Sequence, residues 1–368
     1  LTSQTGCGTL NMNAASGDYK INGQGGVDSL TGGGGADIIN GGANADNISG
    51  GNGDDVLSGG ADNDSLTGGA GTDTFKVDVG TDTITDLGGA SGGETDVLIV
   101  SAGATANATN ITSFTADSST SNSGTANLTT KVGGGTIDIG NSTTGAYSLT
   151  GLSGNDTLKG NGNADIINGG GGDDTIDGRG GNDEINGGAG DDIITVSSAG
   201  QGDGDTIDGG SGTDTLSLSS GSHAFATDAK LQNINSITLA TTSTVIDLTG
   251  QTESLTITGG AQADTITAGS GDDIINGAGG ADIIKGAGGI DTISLGSSDS
   301  ASDIIIFDAS SGMDIIQQFT AGATNGDILK YIGNLTDSES SANTSTGSDN
   351  TDNLLSVSYT HLTLPTKA

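Results

Sequence analysis

A large apolar residue returns at every ninth position through much of this chain, and an Asp stands two places before each one. In "GGANADNISGGNGDDVLSGGADNDSLT", residues 41–67, Ile48, Leu57 and Leu66 carry the apolar beat and Asp46, Asp55 and Asp64 the acidic one. Nine matches neither the helical period of about 3.6 nor the simple alternation of a half-buried strand. Written GGxGxDxUx, with U a large aliphatic or aromatic residue, the pattern fills residues 23–76 with six copies. It fills 151–217 with seven copies, "VSSA" (196–199) being inserted, and 259–294 with four. All seventeen copies carry Asp at the sixth position: Asp28, Asp37, Asp46, Asp55, Asp64, Asp73, Asp156, Asp165, Asp174, Asp183, Asp192, Asp205, Asp214, Asp264, Asp273, Asp282 and Asp291. The eighth is always Ile, Leu or Phe.

The elements follow from this text. Where the fourth position is not Gly it is Asn44, Asp62, Asn163, Asp203 or Gln262. Four of these five are Asn or Asp, which tolerate positive φ best, so a left-handed turn is expected there. The first half of each nonamer then reads as a turn and x-U-x as a short strand. Two nonamers close an eighteen-residue coil, and coils stack as parallel strands about 4.8 Å apart with U pointing inward. The fold class expected is all-β: parallel β-roll (β-solenoid) arrays alternating with strand-rich spacers. Such a core is thin, since two buried aliphatics per coil do not offset the entropy of ordering eighteen residues.

Stacking also superposes the sixth-position carboxylates on each side of the roll, and anions about 4.8 Å apart repel. A cation between them relieves this. Carboxylates and backbone carbonyls form a hard, all-oxygen donor set, which suits Ca²⁺ and not Zn²⁺. The seventeen Asp residues are therefore the expected metal ligands. With one ion between each nonamer and the one two places on, the arrays offer up to about 11 sites.

The nonamers resemble the repeats-in-toxin (RTX, haemolysin-type) calcium-binding family, a parallel β-helix repeat. The resemblance implies secretion from bacteria, disorder at low calcium and folding outside the cell. Several copies depart from the pattern at position two, at Gln24, Leu152, Asn161, Arg179, Gln201, Ala278 and Ala287, and Ala268 replaces the first Gly. Weaker binding is expected of those loops.

Composition sharpens the picture. The 368 residues carry a formal charge of −37, with 42 Asp against 4 Glu, and aspartate suits turns and ligand loops better than helix surfaces. Nucleic acid and anionic membrane are poor partners for such a chain, and no apolar run approaches membrane-spanning length. Cys7 is the single cysteine, so no internal disulfide braces the fold. The opening "LTSQTGCG" without Met reads as an internal start, and "VSYTHLTLPTKA" (357–368) resembles the translation of a sequencing adapter, which sets it outside the fold.

Residues 1–22 read as a lead-in, 77–150 and 218–258 as β-rich spacers, 295–335 as a β-rich terminal module and 336–356 as a flexible tail. Residues 104–127 suggest exposed strands of a small sandwich. Tyr19, Tyr147 and Leu255 stand at the Asp position of irregular nonamers, where a bulky side chain is expected to cap a thin core.

Catalysis has little to stand on. H-E-x-x-H and the P-loop lysine are absent, and His223 reads as a surface loop residue. "GASGG" (89–93) matches a nucleophile elbow around Ser91 only formally, lacking its strand-turn-helix context. Acid pairs such as Asp54 with Asp55, or Asp173 with Asp174, fall at positions five and six, where a ligand role explains the sixth acid and solvent the fifth. No enzyme is expected within these residues. Three functions remain open: a secreted structural or adhesive surface protein of surface-layer type, a calcium-dependent secretion region of an exported enzyme or toxin, and a calcium-responsive module binding glycans or a partner protein. The partners expected are calcium and, beyond it, cell-surface glycans or self-association.

Overall fold

The computed structural model describes residues 6–88, 95–197, 204–296, 301–307, 314–319, 326–331 and 362–363. Among these the strands pair in parallel, and the only helical element is a 3-10 turn at Asp228–Lys230. No helix among the described residues is long and apolar enough to cross a membrane. The chain divides into two compact units, Leu1–Ile194 with Gly210–Gly212, and Thr195–Gly209 with Thr213–Ala368.

In the first unit Ser29–Gly34, Asn47–Asn52 and Ser65–Ala70 lie side by side in one sheet, while Ile38–Ala43, Val56–Ala61 and Thr74–Val77 form the other. The register confirms the coil length, since Leu30 pairs with Ile48, and Ile48 with Leu66. Every eighth-position side chain that the structure describes is buried, and side chains in register form columns of core. One column runs unbroken from Leu30 through Ile48, Leu66, Ile84, Ala108, Leu128, Leu149 and Ile167 to Ile185. The second unit repeats the scheme, with Leu216, Ile237, Ile257, Ile275, Ile293 and Ile316 in one column. A parallel β-roll is therefore the architecture of each unit.

The column passes through residues 77–150 without interruption, so 104–127 is no separate sandwich. Thr105–Ile111 and Thr125–Thr130 are further rungs of the same sheet, and only the register step changes: Thr81 pairs with Thr105, and Thr105 with Thr125. The roll demands one small or aliphatic inward side chain per strand, which Ala106, Ala108 and Leu128 supply, and leaves turn length free. For the same reason Tyr147 and Leu255 cover no end. Tyr147–Thr150 lies between Thr125–Thr130 and Ile166–Gly171, and Thr256–Thr258 lies between Ser236–Leu239 and Ile274–Asn276. Tyr19 is only partly buried.

Three other expectations change. Strands of the first array take in the first three residues of the following nonamer as well as x-U-x, as Ser29–Gly34 shows, whereas in the third array x-U-x alone forms the strand, as in Ile274–Asn276. Left-handed backbone occurs at position four in Asn44 (φ 73°) and Asp62 (φ 77°) but not in Asn163 or Gln262; Asp203 lies outside the described residues. Though not in Leu152, Asn161, Gly260 or Gly269, position two is left-handed in most described copies, even in Gln24, Arg179 and Ala278. In each of these three the Asn or Asp two places earlier (Asn22, Asp177, Asn276) accepts the N–H of the strained residue on its Oδ1. Such an Asx turn offsets part of the cost of a side chain at positive φ. His223, finally, is fully buried: it occupies the inward place of Gly221–Ala224, paired with Ile246, and its Nε2 lies 2.9 Å from the Ser219 carbonyl oxygen.

Leu57 sits mid-column between Ile39 and Phe75 with no exposed surface. Leu57→Ala is expected to cost about 2–5 kcal/mol in a calcium-containing urea melt, against less than about 0.5 kcal/mol for the exposed Thr175→Ala. Equal midpoints would contradict this core assignment.

Candidate metal centre

All seventeen sixth-position Asp residues are buried, none more than 3 % exposed. What places them is the backbone. Each strand follows directly on its Asp, so the carboxylate hangs at the corner where turn becomes strand, and its Oδ1 accepts the backbone N–H of the equivalent residue one coil below. The N–H of Asp28 is bonded to Asp46 (2.8 Å), that of Asp46 to Asp64 (2.8 Å) and that of Asp64 to Asp82 (3.0 Å). On the opposite side the ladder climbs from Tyr19 through Asp37, Asp55 and Asp73 to Asp96. The second array repeats it from Gly135 through Asp156 and Asp174 to Asp192, and the third from Leu255 through Asp273 and Asp291 to Asp314.

Five rungs escaped the repeat pattern: Asp82, Asp96, Asp303, Asp314 and Asp327. Their signal in the sequence is an acid followed at once by strand residues, as in "TDTIT", "TDVLIV" and "MDIIQ", without the glycines. Asn235 takes a carboxylate's place above Asp214 with a neutral amide (2.6 Å). The fifth-position acids also have work beyond facing solvent. Asp54 accepts the N–H of Thr72, Asp173 that of Asp191, and Asp272 that of Ile290, so the outer acids bond to the coil above while the inner ones bond to the coil below.

The second oxygen is different. Oδ2 of Asp37, Asp46, Asp55, Asp64, Asp82, Asp156, Asp174, Asp273 and Asp291 is buried without a hydrogen-bond partner. A Cβ on the first glycine of the nonamer would show what faces it. On Gly32 it would lie under 3.0 Å from both Asp37 Oδ2 and the Gly50 carbonyl oxygen; on Gly50 it would meet Asp55 Oδ2 and the Gly68 carbonyl in the same way. Gly41 borders Asp46 and the Gly59 carbonyl, Gly151 borders Asp156 and the Gly169 carbonyl, and Gly169 borders Asp174 and the Gly187 carbonyl. Acceptor thus faces acceptor in a buried cradle, an arrangement that a hard cation satisfies and that a hydrogen bond cannot. Among the described residues no three acidic, histidine or cysteine side chains converge on one point, so the donor set that fits calcium is a carboxylate with backbone carbonyls. First-position side chains intrude at two rungs: Val77 in the coil of Asp82 and Ala268 in that of Asp273, both fully buried.

Burial disfavours the charged form. It pushes the carboxyls of Asp46, Asp55, Asp165, Asp174 and Asp273 up to about 6 and those of Asp73, Asp82 and Asp291 up to about 7. Ladder N–H bonds oppose the rise, and stacked neighbours add to it, as Asp192 and Asp156 do for Asp174.

Two outcomes follow. Folded values above the ordinary 3.8 mean that the cation-free roll holds more protons than the unfolded chain between about pH 4 and 7. Its stability therefore falls as pH rises through that window, and in chelator the chain should show more β structure by circular dichroism near pH 4.5 than near pH 7.5; the reverse order would contradict the burial of these acids. Gly50→Ala should displace Asp55 and the Gly68 carbonyl, costing about 1–3 kcal/mol in calcium, whereas Gly34→Ala, whose Cβ would meet nothing closer than 3.4 Å, should be near neutral.

A family model for the RTX calcium-binding nonapeptide repeat, four copies long, matches residues 22–57, 49–84, 144–176, 169–197, 199–222 and 256–297. No curated protein matches the chain. Repeat pattern, roll and acceptor-lined cradles agree with that match, and the chain belongs to the RTX calcium-binding repeat family.

Proposed function

We propose that this chain is a stiffening element of a secreted structural or adhesive protein of the bacterial surface, set in shape by extracellular calcium. Ligands for the ion are the carboxylate and carbonyl pairs Asp37 with Gly50, Asp46 with Gly59, Asp55 with Gly68, Asp156 with Gly169 and Asp174 with Gly187. Bound there, calcium supplies the positive charge that lets buried carboxylates stay ionised between coils. The chain does the rest: the ladder holds each carboxylate in place, and the first-position glycine keeps the cradle open.

The observation that carries the structural reading is the unbroken core column from Leu30 to Ile185, which makes array and spacer one continuous roll instead of a folded array on a loose tether. A roll that continues through its spacer spans distance. Low cytosolic calcium would keep such a chain unfolded for export, and millimolar calcium outside would fold it, metal binding and folding being one event. Secretion of type I is the route this reading expects.

The test is calcium titration of the full chain, followed by calorimetry, native mass spectrometry and circular dichroism. Coil should convert to β signal with several bound ions and with magnesium far less effective. A full β spectrum at neutral pH in chelator, or two or fewer ions, would overturn it. Electron microscopy of the loaded chain then separates the roles: ordered self-assembly supports a surface structure, whereas a monomer at every concentration favours the secretion region of a longer exported protein.

A further inference from the structure

The ladder carboxylates are not all alike. In the cradles of Asp37, Asp46, Asp55, Asp156 and Asp174 one oxygen accepts a backbone N–H and the other has no donor. In Asp165 and Asp264 both oxygens are occupied. Asp165 accepts the Tyr147 N–H on Oδ1 and the Asn161 N–H on Oδ2, each at 2.8 Å; Asp264 accepts those of Thr244 and Gly260, each at 2.7 Å. Asp96, just past the first array, is bonded likewise by Asp73 (2.9 Å) and Gly88 (2.7 Å).

The difference lies in where the second residue of the loop sends its N–H. Gly33, Gly42, Gly51 and Gly170, left-handed with φ between 100° and 118°, and Leu152, which is not left-handed, leave Oδ2 of their carboxylates without a donor, whereas Asn161 and Gly260 donate to it. In the coil of Asp165 the Gly178 carbonyl still stands near Oδ2, since a Cβ on Gly160 would meet both under 3.0 Å, but the Asn161 N–H already occupies that oxygen. Charge-assisted N–H bonds on both oxygens leave the carboxylate satisfied without an ion. Neighbouring groups hold the closed form: Asn161 Nδ2 donates to the Gly145 carbonyl (3.0 Å), Asn161 Oδ1 accepts the Asn163 N–H (2.8 Å), and Ser142 Oγ meets the Tyr147 hydroxyl (2.8 Å).

We infer that Asp165 and Asp264, although in phase with the repeat, are not calcium ligands but hydrogen-bond latches, which close the first coils of the second and third arrays without a cation and give calcium-driven folding a preformed coil to grow from. This rests on calcium being the ligand of the other cradles. It divides carboxylates that the repeat pattern treats as equal.

Two measurements on the full chain decide it. Native mass spectrometry at saturating calcium should give D165N and D264N the ion count of the unsubstituted chain, while D174N loses at least one; loss of an ion in D165N or D264N would overturn the inference. Hydrogen exchange of the unsubstituted chain in chelator should show the Tyr147, Asn161, Thr244 and Gly260 amides protected roughly tenfold or more over those of Asp28 and Asp37. Equal exchange would overturn it too, and this readout stands even if a substituted chain folds poorly. A chain that binds no calcium at all refutes the function proposed above, and the exchange data still decide whether the latches exist.

Discussion

The structure depends on one hydrogen bond repeated along the roll, the backbone N–H of one coil given to the aspartate of the next. It fixes the spacing of coils as a strand ladder does, but it ends on a charge. Each carboxylate brought in to hold the coil below is thereby buried, and its second oxygen is left against a carbonyl oxygen of the coil above, as Asp55 is against Gly68. The same side chain closes the coil and creates the demand for a cation. Burial pushes the carboxyls of Asp73, Asp82 and Asp291 up to about 7, the same demand seen as a resistance to ionising.

Much of this was legible because the side chains that matter recur in phase. Asp at position six and an aliphatic at position eight, nine residues apart, sufficed for the coil length, the inward face and the acidic stacks. What the repeat hid was set by backbone direction and by contacts across coils. Left-handed geometry at Gln24 and Arg179 is stabilised by Asn22 and Asp177, a pairing visible only once the turn is known. Asp96 and Asp314 joined the ladder although the glycines that mark the repeat are missing, because a rung needs only an acid at the start of a strand. His223 gave no sequence signal of burial; its place in a column of Ile residues is a matter of register.

The acid pairs show how composition misleads when read residue by residue. Asp173 and Asp174 are adjacent, yet one bonds upward at the surface and the other downward in the core. The large negative charge is thus divided between an outer series that water screens and an inner series that only a bound ion or a donor can. Opposite charges also meet where Arg179 reaches Asp138 at 3.0 Å, beside the more distant Lys159 and Asp177 at 4.0 Å each.

The constant register of the arrays bears on how such a chain changes over generations. Because Leu30, Ile48 and Leu66 stand in equivalent surroundings, duplicating or deleting an eighteen-residue segment inside an array replaces every contact at the cut with one of the same kind. Length can then drift in whole coils without any compensating substitution, while the longer register steps from Thr81 to Thr105 and from Thr105 to Thr125, each made once, stay as fixed landmarks.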